Sequence, residues 1–152
     1  MLRLVLCIAY RKLKILATQG DGNLFIGVSA PDVQPDKFGY THRDPSSYGI
    51  WSFGDVWAGG KNTLNLQLEA NQVAASIIRP DMFSEQRHWH QRVFAPEDEV
   101  TVTLDCAARI VQVQSPTVDH VIPMSEGQRE HQWVLNLNFY PGMYQVQMLP
   151  SN

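Results

Sequence analysis

Cysteine is scarce in this chain of 152 residues, and its scarcity limits how the fold can be held together. The two cysteines, Cys7 and Cys106, lie far apart and fit neither a disulfide framework nor the paired spacing of a zinc site. We expect both to be reduced thiols of an intracellular protein, cytoplasmic or nuclear. Because no covalent link or metal is expected, an apolar core must stabilise the chain.

An excess of positive charge is also missing. The sequence has 12 Lys and Arg against 15 Asp and Glu, a formal net charge of −3, and its basic residues are scattered apart from RKLK at 11–14. Proteins that bind nucleic acid neutralise phosphates with clustered Lys and Arg side chains. We therefore expect no nucleic-acid partner.

The sequence has no long apolar run. The longest candidate, from Leu4 to Tyr10, is far shorter than the roughly 20 residues that cross a bilayer as a helix. No small-residue cleavage site follows it, and RKLKIL continues directly as an alternating segment. We interpret this region as a buried strand, and we expect neither a signal peptide nor membrane insertion.

Signatures of catalysis are missing as well. There is no GxSxG elbow, and the glycines and lysine of AGGKN (58–62) have the wrong spacing for a phosphate loop and favour a turn. A carboxylate beside Cys106, from Asp105, opposes thiolate formation, which favours a buried structural cysteine. These features predict a protein without catalytic activity or a cofactor.

What the sequence does contain is a series of short apolar segments with a period of two, separated by turn signals rich in Gly, Pro, Asp and Asn. In EVTVTLD, Val100, Val102 and Leu104 face one way and the polar residues the other. Only 71–89 has a helical pattern, and the proline after Arg79 limits it to one short helix at most. The pattern predicts a single all-β domain over 1–152, an antiparallel β-sandwich or barrel.

Four motif-bearing stretches follow one another along the chain: GDGNLFIGVSAPD, FGYTHRDPSSYGIWSFGDVWAGGK, FAPEDEVTVTLDCAARIVQVQS and QWVLNLNFYPGMYQVQML. Their succession resembles the SPRY domain, the core of the B30.2 family, over roughly residues 12–149. The matching positions are Ile26-Gly27-Val28, Tyr48-Gly49-Ile50-Trp51, the run from Glu99 to Asp105, and Tyr140-Pro141. The chain departs from the family in having Glu97-Asp98-Glu99 for a glycine-aspartate pair, CAAR (106–109) for a Gly-containing turn, and VQVQSPTVDH for F-x-x-N-G.

This resemblance implies an antiparallel sandwich of two curved sheets without catalytic activity. Such domains bind a short peptide or a protein surface through loops at one edge of the sandwich. Many of them recruit substrates for ubiquitin ligases.

The aromatic residues of the stretch YGIWSFGDVW could either pack in the core or form a binding surface. Tyr48 and Trp51 fall on opposite faces of a strand, and we predict that both are buried in core packing. Trp57 follows the glycine of a turn near a loop mouth, so a core and a binding role are both open. In the loop 30–44, Tyr40, His42 and Arg43 stand between prolines, which limit the entropy lost on binding. An ordinary connection between strands fits this pattern equally well, and it is the resemblance to SPRY domains that favours a binding rim there.

A second candidate surface is RHWHQR (87–92), which combines an aromatic ring with cationic and hydrogen-bonding groups, as interaction hot spots do. Its candidate contact residues are Arg87, His88, Trp89 and His90; alternatively, Trp89 caps the core. His88 and His90 also project from one face of a strand, so a metal site is an alternative if a third ligand comes close. The residues that could supply this ligand are His42, Asp105, Cys106, His120 and His131.

We therefore predict a non-catalytic module that binds a protein or peptide, and we expect no resident metal. A carbohydrate-binding sandwich with tryptophans stacked on sugar rings is the main alternative, and a histidine-dependent metalloenzyme is the third. The sequence leaves the oligomeric state open, although an N-terminal strand at a sheet edge would pair with a second chain.

Overall fold

The computed structural model describes residues 8–19, 23–67, 92–125, 133–139 and 143–150, with side chains left out at 8, 9, 19 and 143. These residues form ten strands: β1 (Ile8–Gln19), β2 (Leu24–Ser29), β3 (Tyr48–Trp51), β4 (Asp55–Ala58), β5 (Lys61–Asn65), β6 (Glu99–Asp105), β7 (Ile110–Gln114), β8 (Asp119–Pro123), β9 (Val134–Phe139) and β10 (Met143–Leu149). Leu66 and Gln67 have helical backbone where the second described range ends. The candidate helix at 71–89 lies outside the described residues.

The strands form two five-stranded antiparallel sheets. The first sheet has the order β10-β1-β6-β7-β8 and the second the order β5-β4-β3-β2-β9. The sheets pack face to face, with β2 and β3 of the second sheet against β6 and β7 of the first. This arrangement confirms the predicted antiparallel β-sandwich.

The core between the sheets follows from the alternation in the sequence. In β6 the side chains of Val100, Val102 and Leu104 are at most 3% exposed, whereas the residues between them are partly exposed. β7 alternates in the same way, with Val111 and Val113 fully buried. Both observations confirm the period-two prediction, because only one face of each strand is turned to the opposite sheet.

The N-terminal strand lies inside the first sheet rather than at its edge. β1 continues from Ile8 through the alternating KLKIL segment and pairs with β10 on one side and β6 on the other. Lys12, for example, is opposite both Leu149 and Thr101. The condition for pairing a second chain through β1 is therefore not met where β1 is described, and the edges of this sheet are β10 and β8.

The turn between β6 and β7 explains how the chain dispenses with a glycine there. Arg109 itself adopts a left-handed conformation, with φ of 55°. The Asp105 carboxylate Oδ1 accepts a hydrogen bond from the amide of Ala108 at 2.9 Å, which closes the turn. Cys106 is half-buried in this turn and packs against the core, less buried than predicted.

The second sheet buries side chains on both of its faces. Tyr48, 1% exposed, points into the core as predicted, whereas Trp51, 6% exposed, points away from it. Trp51 is nevertheless covered, because the loop between β2 and β3 folds over this outer face. Gly27 and Gly49, paired between β2 and β3, bring the strands so close that a Cβ on Gly49 would lie 2.4 Å from the carbonyl oxygen of Ile26.

Candidate functional site

The β2–β3 loop, residues 30–47, is fastened to β9 across the outer face of the second sheet. The amide of Thr41 donates to Oδ1 of Asn138 at 2.7 Å, and the Thr41 hydroxyl donates to Oδ1 of Asn136 at 2.7 Å. Nδ2 of Asn138 donates back to the Thr41 hydroxyl at 2.8 Å. Both asparagines are at most 8% exposed, so these bonds are sheltered from water and fix the middle of the loop.

The loop also inserts a histidine into a group of aromatic rings, which we name the aromatic cluster: Phe25, Tyr40, His42, Trp51 and Trp57. The His42 ring centroid is 4.5 Å from that of Trp57 and 4.9 Å from that of Trp51, with the planes nearly perpendicular in both pairs. Edge-to-face contacts of this kind stabilise the packing beyond the contribution from burial of the rings. The cluster therefore holds the loop and the sheet together.

His42 is neutral in this environment. Its pKa is lowered from 6.5 to about 4, mainly by burial and also by the nearby Arg43, while Asp36 and Asp55 partly oppose this shift. Nδ1 of His42 and Nε1 of Trp57 are both buried and make no hydrogen bond within the described part of the chain. The centre of the aromatic cluster is thus uncharged at pH 7, and His42, 4% exposed, supports the surface from below rather than offering a cation to a partner.

The tip of the loop is closed by Asp36. Its carboxylate Oδ1 accepts hydrogen bonds from the amides of Phe38 at 2.8 Å and Tyr40 at 3.1 Å, and its amide donates to the Tyr40 carbonyl at 2.8 Å. These amide donors, with that of Tyr40 the largest contribution, lower the pKa of the Asp36 carboxyl. Gly39, at φ of 83°, completes the turn and leaves Phe38 59% exposed, with Nζ of Lys37 5.0 Å from its ring centroid.

Phe38 is the residue that the sequence interpretation missed. The signal for it was present, because an aspartate two residues before an aromatic and a glycine directly after it make a self-capped turn. In the structure this turn leaves the ring of Phe38 largely exposed.

The glycines of the β4–β5 turn allow the loop to lie close to the sheet. Gly59 and Gly60 have φ of 62° and 80°, as the turn predicted for AGGKN requires. A Cβ on Gly60 would stand 2.3 Å from the carbonyl oxygen of Arg43, so a larger residue there would push the loop away. The turn thus sets the height of Arg43 above the sheet.

The structure brings four of the predicted site residues together. Tyr40 and Trp57 are half-buried in the aromatic cluster, Arg43 is exposed beside it, and His42 lies beneath. The four remaining candidates, Arg87, His88, Trp89 and His90, lie outside the described residues, and so does the metal site imagined on the two histidines. Within the described ranges, no group of three metal-ligating side chains is found.

No protein-family model matches the sequence, and no curated protein matches it. The structure, however, is similar to the SPRY domain of human HERC1, with a TM-score of 0.58 and 16% sequence identity, over 93% of this chain and 73% of that one. The fold is therefore a divergent SPRY-like β-sandwich. None of the helices in the described residues is long and apolar enough to span a bilayer.

Proposed function

We propose that this chain is a non-catalytic interaction domain that binds a short peptide or a protein surface on the rim formed by Phe38, Tyr40, Arg43 and Trp57. The observation that carries the proposal is a large exposed ring, Phe38, held on a loop that the sheet fixes in place. The similarity to a SPRY domain supports it at the level of fold.

The chemistry of the rim suits a protein partner. Aromatic and Arg side chains are enriched at interaction hot spots, because a ring supplies contact area and a guanidinium supplies directed donors. Here Phe38 and Arg43 are exposed on the same loop, and Tyr40 and Trp57 are half-buried in the aromatic cluster on which the loop packs. A partner would bury the ring of Phe38 and hydrogen-bond to Arg43.

The anchoring of the loop favours affinity. The hydrogen bonds from Thr41 to β9, the Asp36 cap and the aromatic cluster order the loop before any partner arrives. A preordered loop loses less conformational entropy on binding, so more of the contact energy remains as affinity. In this proposal His42 contributes to binding by positioning the loop.

A finer proposal concerns the biological role. If the domain acts as many SPRY domains do, it recruits substrates to a ubiquitin ligase, inside the cell, with residues 1–152 as one domain. The finer role requires a ligase module that is joined to this chain or bound by it. Co-purification of a ligase subunit with the captured partner would support that role.

The experiment is an affinity capture from cell lysate with wild-type protein and a Phe38→Ala, Trp57→Ala double variant. Val121→Ala is the matched control, because Val121 is a comparably exposed apolar side chain, at 42%, on the first sheet. Circular dichroism establishes that all three proteins are folded. A partner retained by the wild type and the control but lost by the double variant supports the rim, and equal retention by all three contradicts it.

The same purified protein tests the alternatives. Trp51 is only 6% exposed and therefore offers no free ring face to a sugar, which weighs against carbohydrate binding at this surface. Glycan-array binding that the double variant loses would favour a carbohydrate ligand instead. A Trp89→Ala variant tests the candidate contact at 87–90, and elemental analysis tests the metal site on the same segment.

A further inference from the structure

A cavity of about 200 Å³ opens between the two sheets, away from the aromatic cluster. Its described lining comes from β1, β2, β6, β9 and the residue before β9. Val28 of β2 faces the core and lines the cavity, whereas Phe25 of the same strand faces outward and belongs to the aromatic cluster. The two residues are roughly 10 Å apart along the strand, so the cavity and the rim are separate surfaces.

The inner walls of the cavity are apolar and belong to the core. Val28, Val102 and Leu104 are at most 5% exposed, and each sheet supplies part of the wall. Such walls favour an apolar occupant, because an apolar group that enters the cavity leaves water for apolar contacts. An apolar cavity of about 150 Å³ accommodates a benzene molecule, so this one has room for a single apolar side chain.

The mouth of the cavity carries a cation. Arg11 is exposed there, and its Nη1 donates to the carbonyl oxygen of its neighbour Tyr10 at 2.9 Å. The ion pairs among the described residues join Glu99 and Glu97 to the lysines of β1, and none involves Arg11. A guanidinium without a carboxylate partner is suited to bind an incoming carboxylate through two parallel hydrogen bonds.

The other side of the mouth is formed by β9, which is the last strand of the second sheet. Val134, its first residue, is 40% exposed and lines the cavity. Among the described strands β9 pairs only with β2, so its outer main-chain groups are open to an added strand. Extended peptides bind to sheet edges in this way, with side chains in adjacent pockets.

From this juxtaposition we infer that the cavity binds the C-terminal residue of a peptide. The apolar side chain of that residue fills the space between the sheets, and its α-carboxylate pairs with Arg11. The rest of the peptide leaves along the open edge of β9. This is a second binding site, independent of the rim around Phe38.

The test is a methyl and amide NMR titration of the whole protein with the peptide acetyl-Gly-Ser-Gly-Ser-Leu. The expected result is a saturable shift of the methyl signals of Val28, Val102 and Leu104. The same peptide with a C-terminal amide should bind at least about tenfold more weakly, because a charge-assisted pair is lost. A peptide ending in Ala should also bind more weakly, because it leaves the cavity unfilled.

Variants complete the test. Arg11→Gln should weaken the acid peptide about tenfold and leave the amide peptide unchanged. Arg109→Gln, on the exposed β6–β7 turn, is the matched control, and Phe38→Ala should also have no effect. The proposal is overturned if the peptide causes no saturable shift, if acid and amide bind equally, or if Arg11→Gln binds both as the wild type does. It is also overturned if free 4-methylpentanoate binds as tightly as the peptide, since the occupant would then be a small acid.

Discussion

Replacement of Asn138 by alanine should release the β2–β3 loop while the sandwich stays folded. Asn138 is 5% exposed and makes two hydrogen bonds to Thr41: Oδ1 accepts from the Thr41 amide at 2.7 Å, and Nδ2 donates to the Thr41 hydroxyl at 2.8 Å. Alanine removes both bonds and places no atom where the amide stood. The Thr41 N–H is then left without its acceptor beneath the loop.

The size of the effect follows from these two bonds. A typical hydrogen bond contributes about 1 kcal/mol net, and a sheltered donor left without a partner adds to the loss, which gives about 2 to 3 kcal/mol for Asn138→Ala. At 1.4 kcal/mol per factor of ten, the closed loop loses roughly 30- to 150-fold in its equilibrium with the open loop. The core residues of β9, such as Leu137, are not altered.

Amide hydrogen exchange measures this opening directly. The Thr41 amide should exchange faster in Asn138→Ala by a factor of that size, and by more than the amide of Ile50 in the centre of the second sheet. Asn65→Ala is the control, because it removes a bond of 2.7 Å to Asp55 in the same sheet without touching the loop. Unchanged protection of Thr41 in Asn138→Ala would refute the reasoning that β9 holds the loop.

Two further predictions concern stability. The free energy of unfolding should fall as the pH is lowered from 6.5 to about 4, because His42 takes up a proton in the unfolded chain but resists protonation when it is buried in the folded protein. Denaturant titrations at several pH values should show that the free energy of unfolding depends less on pH in His42→Phe than in the wild type. An equal pH dependence in the two proteins would contradict this prediction. Gly49→Ala should lower the free energy of unfolding by about 3 kcal/mol or more, because its Cβ meets backbone that must move. Gly59→Ala, which meets only ordinary contacts but has a left-handed φ, should cost about 1 kcal/mol in the same urea titration, and a similar loss in both variants would argue against the clash at Gly49.

The strands could be predicted because each half-buried strand repeats apolar and polar residues with a period of two. EVTVTLD is the clearest case, and the structure buries Val100, Val102 and Leu104 as the alternation requires. The same pattern assigns Tyr48 and Trp51 to opposite faces, which is correct. The pattern does not indicate what covers each face of the sheet. For this reason we predicted a core position for Trp51, whereas in the structure Trp51 lies on the outer face and is covered by a loop.

The attachment of the β2–β3 loop to β9 could not be predicted from the sequence, for a related reason. In VLNLNF the asparagines occupy the face opposite Leu135 and Leu137, and polar residues at alternate positions ordinarily indicate a solvated face. Asn136 and Asn138 are buried because Thr41 reaches them from 95 and 97 positions away in the chain. A contact at such a distance leaves no local pattern, whereas the self-capped turn around Phe38 is local and could have been predicted.

A comparison of the two outer faces explains why the second sheet is the better candidate for recognition. The first sheet turns mainly polar and charged side chains outward, with pairs such as Lys12 to Glu99 at 2.8 Å and Gln112 to Asp119 at 2.7 Å, and exposed apolar side chains such as Val121 stand among them. Exposed pairs of this kind contribute little to stability and need no cover, so that face can stay solvated. The second sheet instead carries aromatic rings outward, which water would disfavour, and a loop must cover them. Because the loop is required for this reason, its tip is held at a fixed place whether or not a partner is present, and the exposed ring of Phe38 gains a rigid position from a structural necessity.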